Sequence, residues 1–214
     1  MSTFIYGLKQ LVKHILSFWN WHKVYPNVAK TARIDDSANV LCPDHLYMEE
    51  LTNIDDGAII MNTRAKFIMK KWSGAASGLL VVTGNHMPVV GMHLKQVTDK
   101  VKDELDVNHK MDQDVVVDED VWIGARVTLL AGAHVGRGCE IGSNAVIRGN
   151  VPPYSIIVGN PAKLVGFRFT PEEIIEHEKA LYDETDRLPL ELLEKNYQKY
   201  FLNRTKEINS YMKI

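Results

Sequence analysis

From Val117 to Pro152 the chain counts in sixes, with aliphatic residues at Val117, Ile123, Leu129, Val135, Ile141 and Ile147. Four positions after each comes a second small or apolar residue: Val121, Val127, Ala133, Cys139, Ala145 and Val151. A strict period of six fits neither an isolated helix nor an alternating strand. It predicts a β-helix in which each hexad forms one flat side, three hexads complete a turn, and stacked turns pair as parallel strands. The aliphatic residue and its smaller companion then point inward and build the core.

Weaker copies begin at Val28, Ile34, Val40 and Ile54, so the coil is expected to start near residue 27. The 214 residues are 45% apolar and 24% charged, enough for one core with appendages. A net charge of -2 offers no general attraction to nucleic acid. Cys42 and Cys139 lie at no metal-binding spacing, and Cys139 falls at an inward position of its hexad. No apolar run is long enough to span a membrane, and no secretory leader is evident, so a cytoplasmic location is the default expectation.

Both ends read as helical. Residues 1–26 form an N-terminal amphipathic segment, with Ile5, Leu8, Leu11, Val12, Ile15, Leu16 and Trp19 at helical spacing. It is expected to pack on its own protein, with membrane contact as the alternative. Residues 170–214 form a C-terminal helical appendage. Thr170, Pro171 and Glu173 supply an N-cap, a first-turn proline and a capping-box carboxylate for a helix to about Tyr182. A second helix is expected from near Pro189 through Leu193, Tyr197 and Phe201 to Ile208. Such helices would cover strand edges that otherwise invite pairing with other chains.

Within the coil region, 27–169, the sixfold count fails between the Ile54 unit and Val115. Residues 85–114 carry Pro88, Gly91, many charges and no inward period, and read as one long excursion. Long loops in compact folds are commonly functional. This one contains His86, His93 and His109, with His86 following an apolar run, Leu79–Val82, expected to hold it rigidly.

Several segments carry a family resemblance: Asn85 and His86 opening the excursion, Asp120–Gly124, the hexads that follow, Val151–Ser155, Gly159–Lys163, and Phe167–Phe169. Together they resemble the hexapeptide-repeat acyltransferases, in the branch of xenobiotic, maltose and polysaccharide O-acetyltransferases, over about residues 28–185. The resemblance implies an all-β repeat fold: a left-handed parallel β-helix with an N-terminal helix, a long active-site loop excursion and C-terminal helices. It also implies a homotrimer, with acetyl-CoA as co-substrate between neighbouring coils and no required metal.

The family's catalytic histidine corresponds to His86, a general base that takes the proton of an acceptor hydroxyl as its oxygen attacks the thioester. An imidazole with a pKa near ~6.5 suits that task at neutral pH. Trp122, at the outward sixth position of its hexad, is available to wall the pantetheine slot, with packing under the excursion as the alternative. By the same similarity, backbone groups around Ala125, Gly142 and Ser143 face the pantetheine, and Lys163 meets a nucleotide phosphate with Arg148 or Arg168 as supplements. Arg148 and Gly149 stand where relatives often carry threonine and lysine. Asn62, Arg64 and Asn85 are the acceptor-contact candidates.

The function this implies is acetyl transfer from acetyl-CoA to a hydroxyl of a sugar or polysaccharide precursor by direct attack. An antibiotic or other xenobiotic acceptor stays open, as does a non-catalytic trimeric binding protein on the same coil. A γ-carbonic anhydrase shares the coil but needs three zinc-binding histidines, which the late hexads do not present.

Overall fold

A computed structural model describes residues 7, 8, 11, 12, 15, 25–108 and 110–212. The strands between Arg33 and Val158 form three parallel faces of a left-handed coil. The first face stacks Arg33–Ile34, Asn53–Ile54, Gly74–Ala75, Trp122–Ile123, Glu140–Ile141 and Ser155–Val158. The second stacks Asn39–Val40, Ile59–Met61, Leu80–Val82, Thr128–Leu130 and Val146–Ile147. The third stacks Leu46–Met48, Phe67–Met69, Val115–Val117, His134–Val135 and Asn150–Val151.

The hexads behave as their period requires. Both inward sets, from Val117 and from Val121, are buried in one continuous core, and each fully buried aliphatic side chain contributes about 1.5–3 kcal/mol. The corners have a backbone rule of their own. Asp120, Arg126, Gly132, Gly138 and Asn144, six apart, all have positive φ between 57° and 76°. Each hexad thus turns through the left-handed region that Gly, Asn and Asp enter at least cost.

The coil does not lapse after Ile54. It continues through Phe67, Met69, Ala75, Leu79 and Val81, all buried. The count was hidden because turn lengths differ. Trp122 pairs with Glu140, 18 positions on, whereas Asn53 pairs with Gly74, 21 positions on. Gly74 in turn pairs with Trp122, 48 positions on. The 30 residues beyond a regular turn match the length of the excursion, which leaves the coil at one corner and returns without shifting its register.

At the C-terminal end the strand Ser155–Val158 pairs antiparallel with Lys163–Phe167, covering the last edge of the first face. Inside the excursion lies helix α1 (Asp99–Leu105), N-capped by Thr98, which the sequence reading treated as irregular. Helix α2 (Pro171–Leu181) has the expected capping box from Thr170 to Glu173. The next helix is shorter than expected. Helix α3 (Leu190–Tyr200) ends at Phe201, whose backbone leaves helical geometry, and α4 (Thr205–Met212) follows a 3₁₀ turn. The Phe201 ring is held 5.2 Å from Tyr197 and 6.5 Å from Phe167, centroid to centroid.

Most of the N-terminal segment lies outside the described residues. Leu8, Leu11, Val12 and Ile15 are helical and exposed, so the expected packing on the coil is not seen at these positions. Among the described residues no helix is long and apolar enough to cross a membrane.

Candidate active site

The corner joining the second and third faces gathers the excursion and most of the candidate polar residues. At its lowest level the Asn62 side chain accepts from Cys42 N at 3.0 Å and donates to Cys42 O at 2.8 Å. Asn62 is fully buried. It closes the stack of corners, which corrects its assignment from sequence as an acceptor contact. The reason is local: the corner leaves Cys42's backbone groups without strand partners, and a buried amide satisfies both.

Arg64, also assigned to acceptor contact, is committed elsewhere. Its guanidinium meets Asp112 at 2.9 Å and Asp99 at 3.5 Å, and also bonds Asp103. It ties the coil to α1 and to the returning strand of the excursion.

One level higher the excursion opens and closes on itself. Gly84 bridges Asp112 in antiparallel fashion, Asn85 N donates to Met111 O at 2.8 Å, and Gln113 N donates to Thr83 O at 2.9 Å. A Cβ at Gly84 would lie 2.5 Å from Asp112 Oδ1, so a larger residue there would have to displace that carboxylate. Lys102 reaches in from α1, its Nζ 2.9 Å from Asn85 O and 2.7 Å from Asp112 Oδ1. The Asp106 carboxylate accepts from Lys110 N and Met111 N, both at 2.8 Å, folding the end of α1 back onto that strand. His86 follows immediately, with an exposed side chain, on the peptide unit whose carbonyl, Asn85 O, accepts from Lys102. The Asn85 side chain is likewise exposed, while His109 lies outside the described residues.

The other candidates are spread around the coil. Trp122 points outward from the first face, 52% exposed, and lies over Gly74, where a Cβ would come within 3.0 Å of its ring. Ala125, Gly142 and Ser143 occupy the corner between the first and second faces. There Gly142 N donates to Ile157 O at 2.7 Å and Ala125 O accepts from Asn144 N at 2.9 Å, so part of that backbone is used by the coil. Arg148 is exposed at the second-to-third corner, two turns beyond His86, and Lys163 is exposed on the final hairpin.

Arg168 is built into the third-to-first corner. It bonds Asp120 Oδ2 at 2.8 Å and Gly138 O at 3.0 Å, with Glu140 at 3.5 Å. Its guanidinium is therefore engaged, contrary to the phosphate role assigned from sequence. Cys139 is core, as expected, and burial pushes its thiol up to about 12.

Sequence reasoning missed Lys102, Asp106 and Asp112. Thr98 as an N-cap, with Asp99 in the first turn and the helix formers Lys100, Lys102, Glu104 and Leu105 after it, was the available signal for α1. The ion pair across the base of the loop has no sequence signature. Among the described residues no group of three His, Cys, Asp or Glu is arranged to hold a metal ion. An open groove of about 710 Å³ between α2 and α3, lined by Glu172, Glu191, Glu194, Lys195 and Tyr197, involves none of the candidate residues.

Residues 114–149 match the family model described as Bacterial transferase hexapeptide (six repeats). This is a hexapeptide-repeat coil. A "Probable acetyltransferase" of Mycobacterium tuberculosis is 55% identical over 51 residues, 24% of this chain and 17% of that protein. A chloramphenicol acetyltransferase of Escherichia coli is 46% identical over 61 residues, 28% of this chain and 29% of that protein. The chain thus covers less than a third of either relative's length.

Over a longer span the fold is shared with a hexapeptide-repeat acetyltransferase of Vibrio cholerae, at TM-score 0.58 and 15% identity, covering 74% of this chain and 85% of that one. The same Vibrio protein has also been solved with acetyl coenzyme A. A maltose O-acetyltransferase of Clostridium difficile aligns at TM-score 0.52 and 19% identity, covering 67% and 70%. The resemblance to the hexapeptide-repeat acyltransferases stands on the coil.

Proposed function

We propose that this chain is an acetyl-CoA-dependent O-acetyltransferase that acts on a hydroxyl of a sugar or polysaccharide precursor, with His86 as general base. The supporting observation is the anchored excursion. A coil needs no 30-residue insertion to be stable, yet here one is fixed by backbone pairing and ion pairs so that an exposed imidazole emerges from its base. In the reaction the imidazole takes the hydroxyl proton as that oxygen attacks the thioester carbonyl, and the tetrahedral adduct expels the coenzyme thiolate. The imidazolium returns its proton to the thiolate.

The assembly we infer is a homotrimer. Within one protomer His86 and the Ala125–Gly142–Ser143 corner lie at opposite edges of the second face, so a site using both needs two chains. That face suits an interface: its outward strand positions include Ile59, Met61, Leu80, Val82, Leu130 and Val146, and only Asn39 and Thr128 are polar. The other two faces carry outward charges, such as Glu140 on the first and the His134–Asp118 and Lys70–Asp118 pairs on the third.

Release of coenzyme thiol, followed across a panel of sugars and hydroxyl-bearing antibiotics, tests the reading. Turnover on sugars supports it. Turnover on an antibiotic alone moves the acceptor to the second reading, favoured by the similarity to chloramphenicol acetyltransferase. No thiol release with any acceptor, together with retained acetyl-CoA binding, identifies a binding module.

A further inference from the structure

We infer that Lys102 is a positioning residue for His86, acting through the backbone of Asn85 and the carboxylate of Asp112; the inference rests on His86 being the base. Lys102 is buried at 8% exposure on α1, an unusual place for a flexible ammonium. Its charge is met by Asp112 Oδ1 at 2.7 Å, and its second bond is to Asn85 O at 2.9 Å.

That carbonyl belongs to the peptide unit joining Asn85 to His86. A donor held on it sets the orientation of the peptide plane, and therefore where the His86 Cα and side chain leave the chain. Asn85 N, bonded to Met111 O, fixes the peptide unit before it. Two consecutive peptide planes before the imidazole are thereby anchored.

The ammonium is itself held in place. Asp112 receives Lys102 on one oxygen and Arg64 on the other, at 2.7 and 2.9 Å. Arg64 comes from the coil corner one turn below, so the linkage runs from the rigid coil through Asp112 to Lys102 and on to Asn85 O. The excursion is attached to the coil by this linkage as well as by its own base pairing. A lysine serving only as surface solubiliser would be exposed and unpaired. One serving only to hold α1 would need the carboxylate and not the carbonyl.

The test is Lys102→Met, which keeps the length of the stem and removes the charge and both hydrogen bonds, with Lys102→Gln as the variant to read if Met perturbs folding. The turnover number should fall roughly 10- to 100-fold, the loss that a misplaced reacting group produces. The apparent KM for acetyl-CoA should stay within about twofold, because the donor slot is not touched. Lys102→Arg, which keeps charge and donors, should recover most of the rate. In a His86→Ala background the same Lys102 substitution should cost nothing further, since its effect passes through the imidazole.

Wild-type turnover in both Lys102 variants overturns the inference. So does an equal fold-loss with and without His86, which marks a general structural role. Full activity in His86→Ala alone overturns the base assignment and is distinguishable from either.

Discussion

The Tyr154 hydroxyl donates to Glu178 Oε1 at 2.6 Å, joining the end of the coil to the middle of α2 across a fully buried carboxylate. Arg137 meets the other oxygen at 2.8 Å, and Leu188 N donates to it at 3.0 Å. Burial and the adjacent carboxylate push the Tyr154 hydroxyl above its ordinary range. Removing one partner of such a group leaves the others desolvated and uncompensated. Glu178→Ala should therefore cost about 3–5 kcal/mol, read as a shift in denaturant midpoint. A midpoint unchanged within error would show that the network contributes no net stability.

Thiol chemistry should separate the two cysteines. Burial raises Cys139 from an ordinary 9.0 to about 12, so the folded chain keeps its proton where an unfolded chain releases it. Below about pH 9 neither state ionises and this stabilisation is fully present; it is lost as pH rises from about 9 towards about 12. Iodoacetamide at pH 8 should modify half-buried Cys42 and spare Cys139 until denaturant is added, as read by peptide mass. Equal labelling of both in the native protein would contradict the buried assignment.

A charge on the second face should break the assembly. Ile59 is 46% exposed on that face, one strand in from its first edge and in line with Leu80 and Thr128. If the face is buried between chains, Ile59→Asp should yield monomers by light scattering at micromolar concentration, with the coil's circular dichroism retained. Persistence of the wild-type oligomer would move the interface to another face.

Removal of the proposed base should spare everything else. His86 is exposed and contributes no core packing, so His86→Ala should leave stability and acetyl-CoA affinity near wild type while transfer falls by about 10² to 10⁴. If attack by the acceptor is direct, as proposed, no acetyl-enzyme should accumulate; the buried Cys139 thiol, its pKa pushed up by burial, offers no nucleophile. A covalent acetyl adduct by intact mass would sink the direct mechanism.

Two of the three basic residues assigned to the donor, Lys163 and Arg168, should behave differently. Lys163→Ala, on the exposed hairpin, should raise the apparent KM for acetyl-CoA more than it lowers turnover. Arg168→Ala should instead lower thermal stability with little change in KM, because its guanidinium already serves Asp120, Glu140 and Gly138. A reversal of the two phenotypes would show that the phosphate site lies at the Asp120 corner.

The parallel coil, its inward residues from Val117 onward and the place where the excursion leaves it were all readable in sequence. A period of six is a local property, repeated by each hexad independently of its neighbours. The capping box of α2 was legible for the same reason, since Thr170 and Glu173 bond within one turn. The turns between Ile54 and Val115 were not, because insertions of two or three residues at the corners break the count while leaving Arg33, Asn53, Gly74 and Trp122 in strand register.

Roles that depend on who meets whom were decided only in three dimensions. Asn62 and Arg64 had the residue types of acceptor contacts, but Asn62 satisfies a buried corner and Arg64 holds the excursion. Arg168 had the charge for a phosphate and met Asp120 first. Lys102 and Asp112, ten residues apart in a stretch with no period, acquired a role only when the chain closed on itself. Local sequence determines what recurs along a repeat. The partner of a charge is determined by long-range closure, because it is the nearest opposite charge in space that lowers its energy.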